Sequence, residues 1–160
     1  RLKGRERAEK GISESPVEGI PKDLPALVYA QLMQDRVARA GFEWEDLSGV
    51  LDKVQEEVEE LRRAVTEEEK VHELGDLMFT MVNLSRWMNI HAEDALRQAN
   101  AKFEARFTHM ENGLARAGRS IEDADLDEMM RHWDAAKAQG RKARGKAQGK
   151  TKKQVAGPGG

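Results

Sequence analysis

No cysteine occurs in the 160 residues, which removes disulfides, thiolate zinc sites and cysteine nucleophiles from consideration. Aromatic residues are scarce at 5% while charged residues reach 35%. That balance suits a helical bundle built on Leu, Val, Ala and Met rather than a sheet sandwich. No apolar run approaches the roughly 18–20 residues of a membrane span, and the opening RLKGRERAEK has no signal-peptide core. A soluble, cytoplasmic chain is the expectation. Glycine-rich phosphate loops of P-loop or Rossmann spacing are missing, as is GxSxG, and no internal repeat is visible. The histidines His72, His91, His109 and His132 sit at no metal-binding spacing and read as surface or capping residues. Glu69 and His72 form an ExxH, but a di-iron bundle needs a second one, which is absent.

What the chain does have is charge, unevenly placed. Residues 135–160 carry eight Lys or Arg and no acid, so the preceding body is acidic although the whole chain is only −2. Residues 1–19 are polar and without period and read as a flexible leader; residues 139–160, RKARGKAQGK with its flanks, read as a disordered basic tail. Between them, residues 20–138 are expected to form one all-α domain, a four- to five-helix bundle. Asp23 is a candidate cap for a first helix ended by Gly41, and a second helix runs from about Asp46 to Val65. Thr66 with Glu69 forms a capping box for a third helix to Met88 or Asn89. A fourth runs to Ala117 with Gly118 as its stop, and Asp125 with Glu128 starts a fifth. No strand is expected. Phe42 and Trp44 fall in a short connection, where they either pack on the bundle or stack on a base.

Two acidic units stand out, EEVEE at Glu56–Glu60 and ELGD at Glu73–Asp76. On the second helix the apolar stripe is Val50, Leu51, Val54, Val58, Leu61 and Val65, and Lys53, Glu56, Glu57 and Glu60 share an adjoining arc. The third helix is expected to bury Val71, Leu74, Leu77, Met78, Met81, Leu84 and Met88, with Glu73 and Asp76 on the flank of that stripe. Acidic residues at helical spacing are ordinarily a solvated face paired with Lys or Arg. Two such units on neighbouring helices at the same offset from the core, however, would bring carboxylates to one place. Gathered carboxylates repel unless a divalent cation sits among them, and oxygen-only ligands suit Mg²⁺ or Mn²⁺. Such a cluster without a nucleophilic side chain fits phosphoryl chemistry with water as attacker. Basic residues should then hold the remaining phosphates: Lys53, Lys70, and Lys102 with Arg106 at i, i+4.

The stretches PKDLPALVYAQLMQDRVARAGFEW, KVQEEVEEL, HELGDLMFTMVNLSRW, ALRQANAKFEARFTHME and LDEMMRHWDAAK, in this order, resemble the MazG-type nucleoside triphosphate pyrophosphohydrolases over roughly residues 20–138. The resemblance implies an all-α enzyme that converts (d)NTP to (d)NMP and pyrophosphate with Mg²⁺, clears aberrant or surplus nucleotides, and assembles as a homodimer or homotetramer. It implies Glu57, Glu60, Glu73 and Asp76 as metal ligands and Glu56 as the residue that orients or deprotonates the attacking water. Lys53, Lys70, Lys102, Phe103, Arg106 and Trp133 would contact substrate. Where the family often has Glu and Lys ahead of ExxD, this chain has Lys70-Val-His72. The non-enzymatic alternative is a helical interaction module whose basic tail binds nucleic acid or another polyanion, although a tail of this composition is more often a solubilising extension.

Overall fold

The computed structural model describes the backbone of residues 15–155 and the side chains of residues 15–140. Five helices and no strand occur among the described residues: α1 (Ala26–Arg39), α2 (Leu47–Arg63), α3 (Glu67–Trp87), α4 (Ala92–Arg116) and α5 (Leu126–Val155). None is long and apolar enough to cross a membrane. The chain groups into two compact units, with the boundary after Arg97, inside α4.

The helix ends follow from local chemistry. Asp46 Oδ1 accepts from Gly49 N at 2.9 Å and starts α2; Asp125 Oδ1 accepts from Glu128 N at 2.8 Å and starts α5. At α3 the capping box is complete, with Glu69 N donating to Thr66 Oγ1 at 3.1 Å and Thr66 N donating to Glu69 Oε2 at 2.9 Å. The amides of Thr66 and Val65, both donating to Glu69 Oε2, hold the Glu69 carboxyl below its ordinary value. Thr66→Ala is expected to cost about 1 kcal/mol of stability, read from urea denaturation midpoints. Asp23, in contrast, caps nothing: α1 begins after Pro25, which has no side-chain acceptor, because proline already fixes an extended entry to the first turn.

Three helices stop by one device. A residue at positive φ follows the last turn, Gly41 (99°) after α1, Asn89 (54°) after α3 and Gly118 (70°) after α4. In each the next amide reaches back five residues: Phe42 N to Val37 O at 3.0 Å, Ile90 N to Ser85 O at 2.8 Å, Arg119 N to Leu114 O at 3.0 Å. This closes orphan carbonyls that the helix leaves at its end.

In the first unit α2 and α3 pack side by side and α1 lies against α3. Two glutamines tie α1 down. Gln31 Nε2 donates to Ile90 O at 3.0 Å while its Oε1 accepts from Ala92 N at 2.9 Å, so α1 serves the first turn of α4. Gln34 Nε2 donates to Phe79 O on α3 at 2.8 Å. Residues 15–19, expected as flexible leader, form a turn, and Arg36 Nη1 donates to Glu18 O at 2.8 Å, a backbone anchor that composition does not reveal. The remainder of that leader lies outside the described residues.

The expected apolar stripes hold only in part. Val50 is fully buried and Val54, Val58 and Leu61 are partly so, but Leu51 and Val65 are exposed. On α3 the buried residues are Thr80 and Val82, whereas Val71, Leu74, Met78, Met81 and Met88 are exposed. Helical periodicity identifies an apolar face, not the element that covers it. Here α1 and α2 cover the neighbouring arc. In the second unit Met110, Leu114 and Ala136 are buried, while Leu96 (in the first unit), Phe103, Leu126 and Met130 are exposed. Gly113 belongs to this packing: a Cβ there would strike the His132 ring, with its Cε1 and Cγ at 3.0 Å. The backbone of α5 is helical to Val155, beyond the expected disorder boundary at 139. Lys, Arg, Ala and Gln favour helix intrinsically, and absent apolar periodicity speaks to packing rather than to local backbone. Residues 156–160 of the expected tail lie outside the described residues.

Candidate functional site

The side-by-side packing of α2 and α3 sets EEVEE against ELGD. Carboxylate oxygens of Glu57, Glu60 and Glu73 come within 4.8 Å of one another. Glu57 is the inner member, only 3% exposed. Lys53, one turn back, places Nζ 2.7 Å from Glu57 Oε1 and 3.0 Å from Glu56 Oε1. These hydrogen bonds, Glu57 first, hold the Lys53 ammonium well above its ordinary value, so it stays charged. The second oxygen of Glu57, Oε2, is buried without any partner among the described residues. Desolvation and the carboxylates of Glu57, Glu56 and Glu73 push Glu60 above its ordinary value, against the pull of Lys53.

A buried carboxylate oxygen with no donor is costly unless a cation completes it. Three carboxylates at this spacing are all hard oxygen donors, so the set fits a divalent ion of the Mg²⁺ or Mn²⁺ type. Asp76 enters differently. It groups with Glu73 and His72, whose Nδ1 lies 3.3 Å from Asp76 Oδ2 and 3.6 Å from Glu73 Oε1. With His72, the four expected ligands thus form two overlapping triads joined at Glu73, and His72 stands four residues before Asp76 on the same helix. The histidine is exposed, as its surface reading requires, yet it stands in the acidic group.

Beside the cluster lies a cavity of about 590 Å³ walled by α1, the connection to α2, α2 and α3. Glu57, Lys53 and Asp76 line it on the acidic side; Phe42, Trp44 and Phe79 supply apolar wall. Phe42 is 82% exposed, so it contributes little to the core and its flat face is open. Trp44 packs on Gly49, where an added Cβ would sit 3.1 Å from the indole Cε3.

One network has no signal in local sequence. Glu43 accepts from Arg86 Nη2 in a short ion pair and from Trp87 Nε1 at 3.1 Å, while Arg86 Nε donates to Asn83 Oδ1 at 3.1 Å. It ties the α1–α2 connection to α3 across 43 residues, and Glu43, Asn83 and Arg86 all line the cavity. Burial pushes the Glu43 carboxyl up, but Arg86, the Trp44 amide and Trp87 outweigh it and hold it below 4.5. A depressed folded value contributes stability that is present above pH 4.5 and lost as pH falls through the folded value. Glu43→Gln should therefore destabilise by about 1–2 kcal/mol at pH 7, with the gap to wild type closing in acid, as measured by denaturation at pH 7 and pH 3.

The other expected site residues fall elsewhere. Glu56 is largely exposed beside Lys53. Lys70 pairs with Glu67 at 2.8 Å and is not a lining residue of the cavity. Lys102, Phe103, Arg106 and Trp133 belong to the second unit. There the Phe103 and Trp133 ring centroids are 5.2 Å apart, and Arg106 Cζ stands 6.0 Å from the Trp133 centroid. Gln34 is a lining residue that sequence reasoning missed; a polar residue in a core register of α1 was its only trace.

Residues 45–111 match the family model described as the MazG nucleotide pyrophosphohydrolase domain. The chain is 43% identical over 143 residues to a nucleoside triphosphate pyrophosphohydrolase of Escherichia coli (strain K12), covering 86% of this chain and 54% of that protein. It is 37% identical over 136 residues to the nucleoside triphosphate pyrophosphohydrolase/pyrophosphatase MazG of Thermotoga maritima, covering 85% and 52%. It is also 38% identical over 136 residues to the uncharacterized protein YabN of Bacillus subtilis (strain 168), covering 82% and 28%. The chain thus spans about half the length of the first two relatives.

Proposed function

We propose that this chain, whose residues 45–111 match the MazG nucleotide pyrophosphohydrolase domain, hydrolyses nucleoside triphosphates to the monophosphate and pyrophosphate, with Mg²⁺ as cofactor and Mn²⁺ as a substitute. The observation that carries this reading is Glu57, a buried carboxylate with one oxygen on Lys53 and the other without a partner, in a triad with Glu60 and Glu73. Glu57, Glu60 and Glu73, with Asp76 adjoining, are the proposed ligands. Bound there, the cation would neutralise phosphate oxygens and favour attack by water.

The protein's own residues do the rest. Lys53 fixes the Glu57 carboxylate and adds positive charge at the cavity wall, where a triphosphate arrives. Glu56, solvent-facing and 3.0 Å from the same ammonium, is the proposed acceptor of the water's proton. Lys102 and Arg106 are proposed phosphate contacts, Phe103 and Trp133 base contacts, and Lys70 a further cation for substrate. The exposed Val71, Leu74, Met78 and Met81 of α3 are the proposed cover for a second copy of the chain, giving a homodimer or homotetramer. A house-cleaning role in the cytoplasm, removing aberrant or surplus nucleotides, fits this chemistry.

The test is pyrophosphate release from a panel of ribo- and deoxyribonucleoside triphosphates with Mg²⁺, with and without chelator. Chelator-sensitive release that Asp76→Asn weakens supports the enzyme. A folded wild type inactive on every triphosphate supports the interaction module instead.

A further inference from the structure

A solubilising extension moves the net charge of a chain away from zero. The basic stretch of this chain does the opposite. All 29 acidic residues and 19 of the 27 basic ones lie in residues 1–134, and the eight remaining cations bring that acidic body back to a net charge of −2. Seven of those eight fall in residues 141–153, on the helical backbone of α5. The last acid of α5 is Asp134, which pairs with Lys137 at 3.1 Å. Beyond Lys137 no carboxylate in the sequence stands three or four residues from any cation. Lys142, Lys146 and Lys150 instead follow one another at four-residue spacing, where like charges oppose a helix. The compensating charge has to come from outside the helix.

What the stretch lacks narrows its partner. Residues 135–160 contain no aromatic residue and, apart from Val155, no large apolar one. They offer no anchor for a protein groove, no apolar face to enter a lipid surface and no ring on which single-stranded bases stack. The regular charge of a duplex backbone remains. The register favours it. At about 100° per residue, Arg141, Arg144 and Lys152 share one arc roughly 80° wide, while Lys142, Lys146, Lys150 and Lys153 share a second, centred about 160° from the first. The helix is therefore basic on two opposite sides over roughly 18 Å of its length. A single row of phosphates would use one side, whereas two rows flanking a groove use both. The B-form major groove, about 12 Å wide, admits a helix, and the A-form one is deep and narrow.

We propose that the basic stretch of α5 binds duplex DNA, lying in the major groove with one arc toward each row of phosphates, and so tethers the acidic remainder of the chain to DNA without regard to base sequence. The inference stands independently of the nucleotide reading above.

The test is fluorescence anisotropy of the full chain with short labelled DNA duplexes of two unrelated sequences. Both should bind alike. Seven phosphate contacts give log Kd a slope of about 6 against log salt, a loss of about 10³-fold or more in affinity between roughly 50 and 200 mM. Arg141→Gln/Arg144→Gln/Lys152→Gln should lower that slope by about 3, and Lys142→Gln/Lys146→Gln/Lys150→Gln/Lys153→Gln by about 4, with melting temperature and pyrophosphate release as in the wild type. If one of these variants binds as the wild type does, the two-sided placement in the groove is wrong. A wild type with no salt-dependent affinity for either duplex overturns the inference outright, and that result needs no variant to fold. Competition identifies the source of the phosphates. Unlabelled duplex DNA should displace the probe more effectively, per phosphate, than duplex RNA, single-stranded DNA or vesicles of anionic phospholipid; a competitor among these that matches it removes duplex DNA as the partner.

Discussion

Glu57→Gln is expected to lower pyrophosphate release by about 10²–10³-fold while the protein stays folded. The size of the effect follows from position. Glu57 is the buried member of the carboxylate triad, and its Oε2 is the donor with nothing else to serve. An amide keeps the shape and an oxygen for Lys53, but removes the charge that a hard cation needs. Stability of the ion-free protein should change little, because a neutral group is easier to bury than a charged one and this offsets the weaker bond to the ammonium. The separating measurement is thermal. Saturating Mg²⁺ at about 100 times its dissociation constant should add roughly 2.7 kcal/mol to the wild type. The variant should show no such shift. A variant that keeps both its turnover and its Mg²⁺ shift would place the cation elsewhere.

The parts of this site that were legible in the sequence are those that one helix can encode. Asp46, Thr66 with Glu69, and Asp125 with Glu128 are caps read from three-residue spacings, and Gly41 and Gly118 stop their helices. The meeting of EEVEE with ELGD was legible too, because two helices joined by a short turn pack side by side. Asn89 was less so, since asparagine enters positive φ without glycine's evident signal. Contacts between distant segments were not legible. Glu43 with Arg86 and Trp87, and Gln34 with the Phe79 carbonyl, span more than forty residues. Nothing in the local pattern of either partner announces the other. Asp76 lies on the flank of α3 with Glu73, as its spacing indicates, and the histidine that stands with the two carboxylates, His72, has no such signal in its own spacing.

Lys53→Met should destabilise the ion-free protein by about 2–4 kcal/mol, because it leaves a buried carboxylate with neither oxygen paired. Breaking a wholly buried pair costs about 3–5 kcal/mol; the lower figure reflects that the Lys53 side chain is 30% exposed, so water can partly replace it. The folded-state value of Lys53 is raised above its ordinary 10.5 by Glu57 and then Glu56. A raised value contributes stability that is fully present below pH 10.5 and lost only as pH rises through the folded value, so the gap to the variant should persist across the neutral range. Two further results separate this account from lost packing by the lysine stem. The double variant Lys53→Met/Glu57→Gln should recover most of the loss, since no buried charge remains to be compensated. Mg²⁺ should stabilise Lys53→Met more than it stabilises the wild type, because the ion then supplies the only positive charge at Glu57. Equal losses in the single and double variants, measured by denaturation with and without Mg²⁺, would show that the lysine acts through its methylenes and that the triad does not hold the cation.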